Sequence, residues 1–277
     1  MSSVPARVSP LETDFLVAGG GLAGLSAAIA AARHGARVIL LQDRSVLGGN
    51  ASSEIKMHAV GADCHGSKPG ARESGLIEEF FLEDAVRNPH RSYSQWDLLL
   101  YEKAKLEPNL TLLLDTDCIG AEVAMGADGR RMIVAVRAVR QSTEDEFRIV
   151  ARYFADCTGD GRLGLEAGAE FTVGREAKSD FGESLARDVA DRQTLGSSIL
   201  FTARKYPTAQ PFIAPGWTRP FTGADLKLRW ISSYEYGYWW SEWGGQFDTI
   251  KDNERIRHEL LRIALGGLFR GRLTLET

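Results

Sequence analysis

The chain has 277 residues, a formal net charge of −4, 44% hydrophobic and 25% charged residues. That balance excludes a strongly basic nucleic-acid or membrane-surface binder, and no apolar run approaches the roughly 20 residues of a membrane span. The length allows one large domain or two modest ones, and the three scattered cysteines, Cys64, Cys118 and Cys157, form neither a redox pair nor a cluster-ligand set.

Residues 1–12 carry no apolar h-region and read as a flexible tail, which points to the cytoplasm. Phe15 to Ala18 then predicts a buried parallel strand, and Gly19, Gly21 and Gly24 follow at G-x-G-x-x-G spacing. An Ala-rich helix from Leu22 to Arg33 and a second apolar strand, Arg37 to Leu41, complete a β-α-β unit. In such a unit the first glycine permits the tight turn, the second lets the backbone approach a pyrophosphate, and the third lets helix and strand pack closely. The helix start offers N–H groups and positive dipole to the phosphates. A plain glycine-rich turn is the alternative, and the complete unit argues against it.

The acidic residue that would bind ribose hydroxyls is replaced by Gln42, with Asp43 next. Gln42 donates and accepts but lacks charge, and Asp43 takes the role if the strand ends one residue late. The next segment, Arg44-Ser45-Val46-Leu47-Gly48-Gly49-Asn50-Ala51-Ser52, resembles the Arg-x-x-x-Gly-Gly segment of two-dinucleotide-binding flavoproteins. Gly48 and Gly49 let main chain pass a large planar ligand and Arg44 offsets phosphate charge; by the same resemblance Asn50 and Ser52 are expected to bind the cofactor too. The resemblance implies FAD rather than NAD.

The stretch SSEIKMHAVGADCHGSKPGARESG is irregular and rich in donors. His58, His65, Arg72 and Glu73 are its acid/base and anion-binding candidates, and no metal-ligand spacing occurs in it. It reads equally as an active-site wall or a solvated loop. Helices are predicted from Gly75 to Val86 and from Ser94 to about Leu106, followed by a strand from Leu110 to Asp115. Ile119 to Met125, Met132 to Arg140 and Phe147 to Phe154 alternate as antiparallel strands joined by polar turns. The chain then returns through Tyr153-Phe154-Ala155-Asp156-Cys157-Thr158-Gly159-Asp160-Gly161.

With GGGLAGLSAA, LGGNASSE and FADCTGDGRLGLEAGAEFTVGRE in view, the chain resembles the FAD-dependent oxidoreductases related to the flavoprotein component of heterodisulfide reductase, with a glutathione-reductase-type fold. The resemblance runs from about Asp14 to about Gly266. It implies that Gly19, Gly21, Gly24, Gly48, Gly49, Thr158 and Gly159 bind FAD, that backbone near Cys118 meets adenine, and that Asp160 makes a polar contact nearby. The namesake's iron–sulfur chemistry does not carry over, because its cysteine sets have no counterpart. The fold expected is α/β, a Rossmann-type parallel sheet with an inserted antiparallel meander. The FAD-binding domain would cover 13–175, with a loop and helical insertion over 51–109 and the meander over 117–156.

Residues 176–277 would form a partial α+β substrate or cap domain. A strand is predicted from Ser197 to Thr202, and the aromatic run from Trp230 to Trp243 reads as a substrate-facing wall or as core packing. Asp252 to Leu265 predicts a helix that stops at Gly266-Gly267. A final glycine-bearing return to the cofactor is not found, so closure of the site is expected to come from self-association or a missing C-terminal portion. Two functions follow: hydride transfer between a small organic substrate and flavin, or a non-catalytic flavin-binding fragment or partner subunit.

Overall fold

The computed structural model describes residues 8–57, 59, 68, 70, 72–201, 206–208, 213–220 and 241–270. It divides into two compact units, Met1–Glu170 and Phe171–Thr277.

In the first unit the elements run Val8–Ala18 (β1), Leu22–Arg33 (α1), Val38–Leu41 (β2), Leu76–Arg87 (α2), Tyr93–Lys105 (α3), Leu110–Leu113 (β3), Thr116–Met125 (β4), Arg131–Arg140 (β5), Asp145–Asp156 (β6) and Arg162–Glu166 (α4). One six-stranded sheet has the order β3-β2-β1-β6-β5-β4. The four strands from β3 to β6 in that order pair in parallel, and β5 and β4 add antiparallel. The α/β expectation therefore holds, with a mostly parallel sheet.

The side-chain period of two explains the layers. Val17, Val38 and Leu40 point to one face and bury against Leu25, Ile29, Leu99 and Leu100 of α1 and α3. Leu16, Ile39 and Leu41 point to the other face, against Val136, Ala138, Phe147, Ile149 and Leu163. β2 is buried at every position, as its unbroken apolar run requires.

Two details correct the sequence reading. Val8 to Glu12 belong to β1 rather than to a tail, because they pair with the first half of β6 from Val8–Glu146 onward. β2 reaches only Phe15 to Ala18, so this part of β1 is an edge, where Pro10 is tolerated. The third meander strand and the return strand are also one element, since β6 pairs with β5 on one side and β1 on the other.

The second unit contains Lys178–Phe181 (α5), Ser197–Ile199 (β7), Ser241–Trp243 (β8) and Asn253–Arg270 (α6). β7 and β8 pair antiparallel. The helix α6 runs through Gly266 and Gly267 instead of ending before them. Gly266 serves close approach there: a Cβ on it would lie 1.8 Å from the Arg219 carbonyl oxygen. The predicted strand at Ser197 is shorter than expected, and Trp230 to Trp240 lie outside the described residues.

Candidate cofactor site

At the end of β1 the chain turns through Gly19, whose φ is +101°. A Cβ on Gly19 would lie 2.2 Å from the Cys157 carbonyl oxygen, and one on Gly24 would lie 1.9 Å from the Gly19 carbonyl oxygen. The protein's own packing demands both glycines. Gly21 differs, for its φ of −61° needs no special freedom and a Cβ on it would meet nothing within 4 Å. Among the described residues, no protein atom uses the space that the missing side chain leaves. The helix α1 starts at the same place with no side-chain cap and no acidic residue in its first turn. Its leading N–H groups and positive dipole end are available to an anion.

The second glycine segment lies directly against the first. The Gly48 N–H donates to the Gly20 carbonyl at 2.9 Å, and Gly48 bridges Gly21 in parallel. Gly48 has φ +105° and Gly49 φ +57°. A Cβ on Gly49 would sit 3.2 Å from Gly21 Cα, so a side chain there would press the two loops apart, while one on Gly48 would lie 2.8 Å from Leu100 Cδ1.

The third segment arrives on β6. The Cys157 N–H donates to the Ala18 carbonyl at 2.7 Å, beside Gly19. Asp156 then shapes the turn: its Oδ1 accepts from the Thr158 N–H at 3.1 Å and the Thr158 hydroxyl at 2.7 Å, and its Oδ2 from the Gly164 N–H at 2.8 Å. The Thr158 hydroxyl oxygen accepts from the Arg162 N–H at 2.8 Å, at the start of α4. Burial raises the Asp156 carboxyl, but the Thr158 hydroxyl and the surrounding N–H donors outweigh it and hold the group below its usual range.

A family described as FAD dependent oxidoreductase matches residues 14–261. The chain belongs to this family. No curated protein matches it by sequence. Among solved structures it is similar to THI4 of Thermovibrio ammonificans, at 18% identity and TM-score 0.42 over 65% of this chain and 76% of that one. It is also similar to L-proline dehydrogenase from P. horikoshii (18%, TM-score 0.32, 55% and 23%) and to the flavin-dependent monooxygenase PieE in complex with FAD and substrate (17%, TM-score 0.37, 60% and 34%). The chain thus spans most of the first protein and a minority of the other two.

FAD is the cofactor of this FAD dependent oxidoreductase. The residues present fit its diphosphate, because Gly21 leaves a clear space and the start of α1 lacks a competing acid. Other residues singled out from the sequence have different surroundings. Gln42, expected at the ribose, is 3% exposed; its Oε1 accepts from the Gly20 N–H at 2.7 Å and its Nε2 donates to the Val46 carbonyl at 3.0 Å. Asp43 is exposed and lies 3.9 Å from Arg44, which pairs with Glu54 at 2.9 Å. Arg44 therefore shares its charge with protein carboxylates. Ser52 is buried, with its hydroxyl accepting from the Glu54 N–H at 3.3 Å, while Asn50 is exposed. Gly159 has φ +88° with open space at its Cβ position, and Asp160 is exposed beside it.

Cys118 is buried in the sheet core, and burial pushes its thiol up to about 11. Burial raises the Cys157 thiol as well, so neither is a thiolate nucleophile at neutral pH. Arg72, an anion-binding candidate, donates to Glu78 in the first turn of α2 at 2.9 Å. Glu73 is exposed just before that helix, and His58 and His65 lie outside the described residues. Gly20, Leu47 and Asp156 were missed by motif spacing. A Cβ on Gly20 would lie 2.6 Å from Leu47 Cδ2, which the unbroken Gly19-Gly20-Gly21 run signals.

Proposed function

We propose that this oxidoreductase holds the diphosphate of FAD over Gly21 and the start of α1 and takes a hydride from a small organic substrate. The observation that carries the site is the clear space at Gly21 beside an uncapped helix start. FAD, when bound, supplies a two-electron acceptor that no side chain provides. The chain's own part is to bind and orient it: Gly48 and Gly49 bring main chain to the same space, and Asp156 fixes the Thr158–Gly159 turn on the third side. Asp43 is our choice for the ribose, and backbone near Cys118 for the adenine. His58, His65, Arg72 and Glu73 are kept as the acid/base and anion-binding candidates, and residues 176–277 as a substrate or cap domain. Within the family we favour a relationship to the flavoprotein component of heterodisulfide reductase, on the segments LGGNASSE and FADCTGDGRLG.

Titrating purified apoprotein with FAD, followed by flavin fluorescence, tests the site. Gly21→Val should fold and lose binding, because the new side chain occupies the diphosphate path. Stoichiometric FAD in a folded Gly21→Val protein, or tight NAD binding without FAD binding, overturns the assignment. Anaerobic mixing with small amines, amino acids and hydroxy acids then reads reduction as loss of oxidised-flavin absorbance. A protein that holds FAD but is reduced by no donor is a flavin-binding partner instead of an enzyme.

A further inference from the structure

The geometry points to Gln42 as a positioning residue that sets the phosphate-binding loop before any cofactor arrives, a role different from the ribose ligand suggested by its place after β2. This rests on the reading of the glycine loop as the FAD site. Gln42 is 3% exposed and spans two segments. Its oxygen accepts from the Gly20 N–H at 2.7 Å, and its nitrogen donates to the Val46 carbonyl at 3.0 Å. The Gly20 carbonyl in turn accepts from the Gly48 N–H at 2.9 Å. The polar backbone groups of Gly20 are thus held on both sides, which fixes the peptide leading into Gly21. Leu47 and the Gln42 Cβ close over Gly20, where an added Cβ would lie 2.6 Å and 3.0 Å from them.

The two partners require one acceptor and one donor in the same side chain. A carboxamide supplies both, while an ionised carboxylate supplies acceptors alone. Set against the Val46 carbonyl in a buried place, a carboxylate would face a second acceptor with little water to relieve it. A protonated carboxyl would restore both bonds, its O–H donating to Val46 and its carbonyl accepting from Gly20. An acid at this position therefore works for the loop when it is neutral. At a ribose it would work when charged.

The two roles predict opposite pH dependence. FAD dissociation constants of Gln42→Glu and wild-type apoprotein, measured across pH, decide between them. The loop role predicts roughly tenfold weaker binding by Gln42→Glu at mildly alkaline pH, recovering toward wild type as pH falls through the carboxyl's burial-raised pKa. Tighter binding at neutral pH that is lost on acidification makes Gln42 a ribose position and overturns the proposal, as does an affinity ratio constant with pH. Should Gln42→Glu fail to fold, hydrogen exchange at the Gly20 amide of wild-type apoprotein decides. Protection without FAD is expected, and exchange at the rate of an exposed loop overturns the clasp. A wild-type protein that protects Gly20 but binds no FAD would defeat the site reading while leaving the clasp intact.

Discussion

The unit Met1–Glu170 buries both faces of its central strands, whereas the described part of Phe171–Thr277 buries mainly one helix face. In the first unit Leu16, Val17, Leu25, Ile29, Leu40, Leu100 and Ile149 are fully enclosed. In the second, the buried apolar residues among those described are Ile256, Leu260 and Ala264, spaced four apart along α6. Leu185, Ile213 and Leu195 meanwhile stand 97%, 91% and 86% exposed. A closed core holds backbone groups within the tolerance a cofactor needs, and a sparse one leaves its segments free to adjust. The candidate cofactor site lies at the ends of β1, β2 and β6, strands of the first unit.

The largest effect should come from the glycines, and it should separate packing from ligand binding within that unit. Gly24→Val places a side chain on the Gly19 carbonyl, 1.9 Å from the Cβ position. Neither backbone can yield without parting α1 from β1. A loss of about 4 kcal/mol or more, or no folded protein, is expected. Gly21→Val enters open space and should change the denaturation midpoint little while removing FAD binding. Equal destabilisation by both substitutions would mean that the space at Gly21 is closed in solution.

How much of this contrast the sequence discloses depends on where the constraint lies. The β-α-β unit was legible because its strands are buried throughout and its glycines obey local geometry. The start of β1 was not, since Ser9 and Pro10 resemble a tail and only the distant β6 makes them a strand. Gln42 illustrates the limit within the site. Its spacing points to the ribose, but its bonds to Gly20 and Val46 depend on how two loops meet. The glycines Gly266 and Gly267 read as a helix stop for the same reason, because the Arg219 backbone that approaches Gly266 is remote in sequence.

The next effect tests the thinner core. Ile256 is fully buried and packs over Gly244, whose Cβ position lies 2.8 Å from Ile256 Cγ1. Ile256→Ala should cost about 2–4 kcal/mol through lost contacts and the cavity left behind. Segment-resolved hydrogen exchange should show faster opening of α6 with β1 and β6 unchanged. Equal loss of protection in both units would show that they unfold together and that they differ in packing alone.

A smaller effect lies on the surface that joins α1, α2 and α3. Arg33 first, and then Lys103, hold the Glu79 carboxyl down to about 2 from an ordinary 4.5, each pairing with it at 2.8 Å. A carboxyl lowered in the folded state contributes stability above its unfolded pKa and loses it as pH falls through the folded one. The contribution should therefore be whole above pH 4.5 and disappear toward pH 2. Because the side chain is 34% exposed, solvent screening limits it to about 1 kcal/mol. Denaturant midpoints should fall across that interval in wild type and fall less in Glu79→Gln. An unchanged slope would mean that the pairs form equally in the unfolded chain.

The smallest stability change is expected where the second unit shows most apolar surface. Leu185 is almost wholly exposed, and Phe171, Phe181, Val189 and Leu195 nearby in the chain are also exposed. A side chain already in water has no burial to lose, so Leu185→Ser should alter stability by less than about 0.5 kcal/mol. Its effect should appear in association, because exposed apolar groups gain by covering one another. Sedimentation at rising protein concentration should show wild type forming larger species and Leu185→Ser forming fewer of them. If the substitution instead costs more than about 1 kcal/mol in dilute monomer, Leu185 must be buried against the rest of the chain in solution. The second unit would then own a larger core than its described residues display, and the contrast with Met1–Glu170 would shrink accordingly.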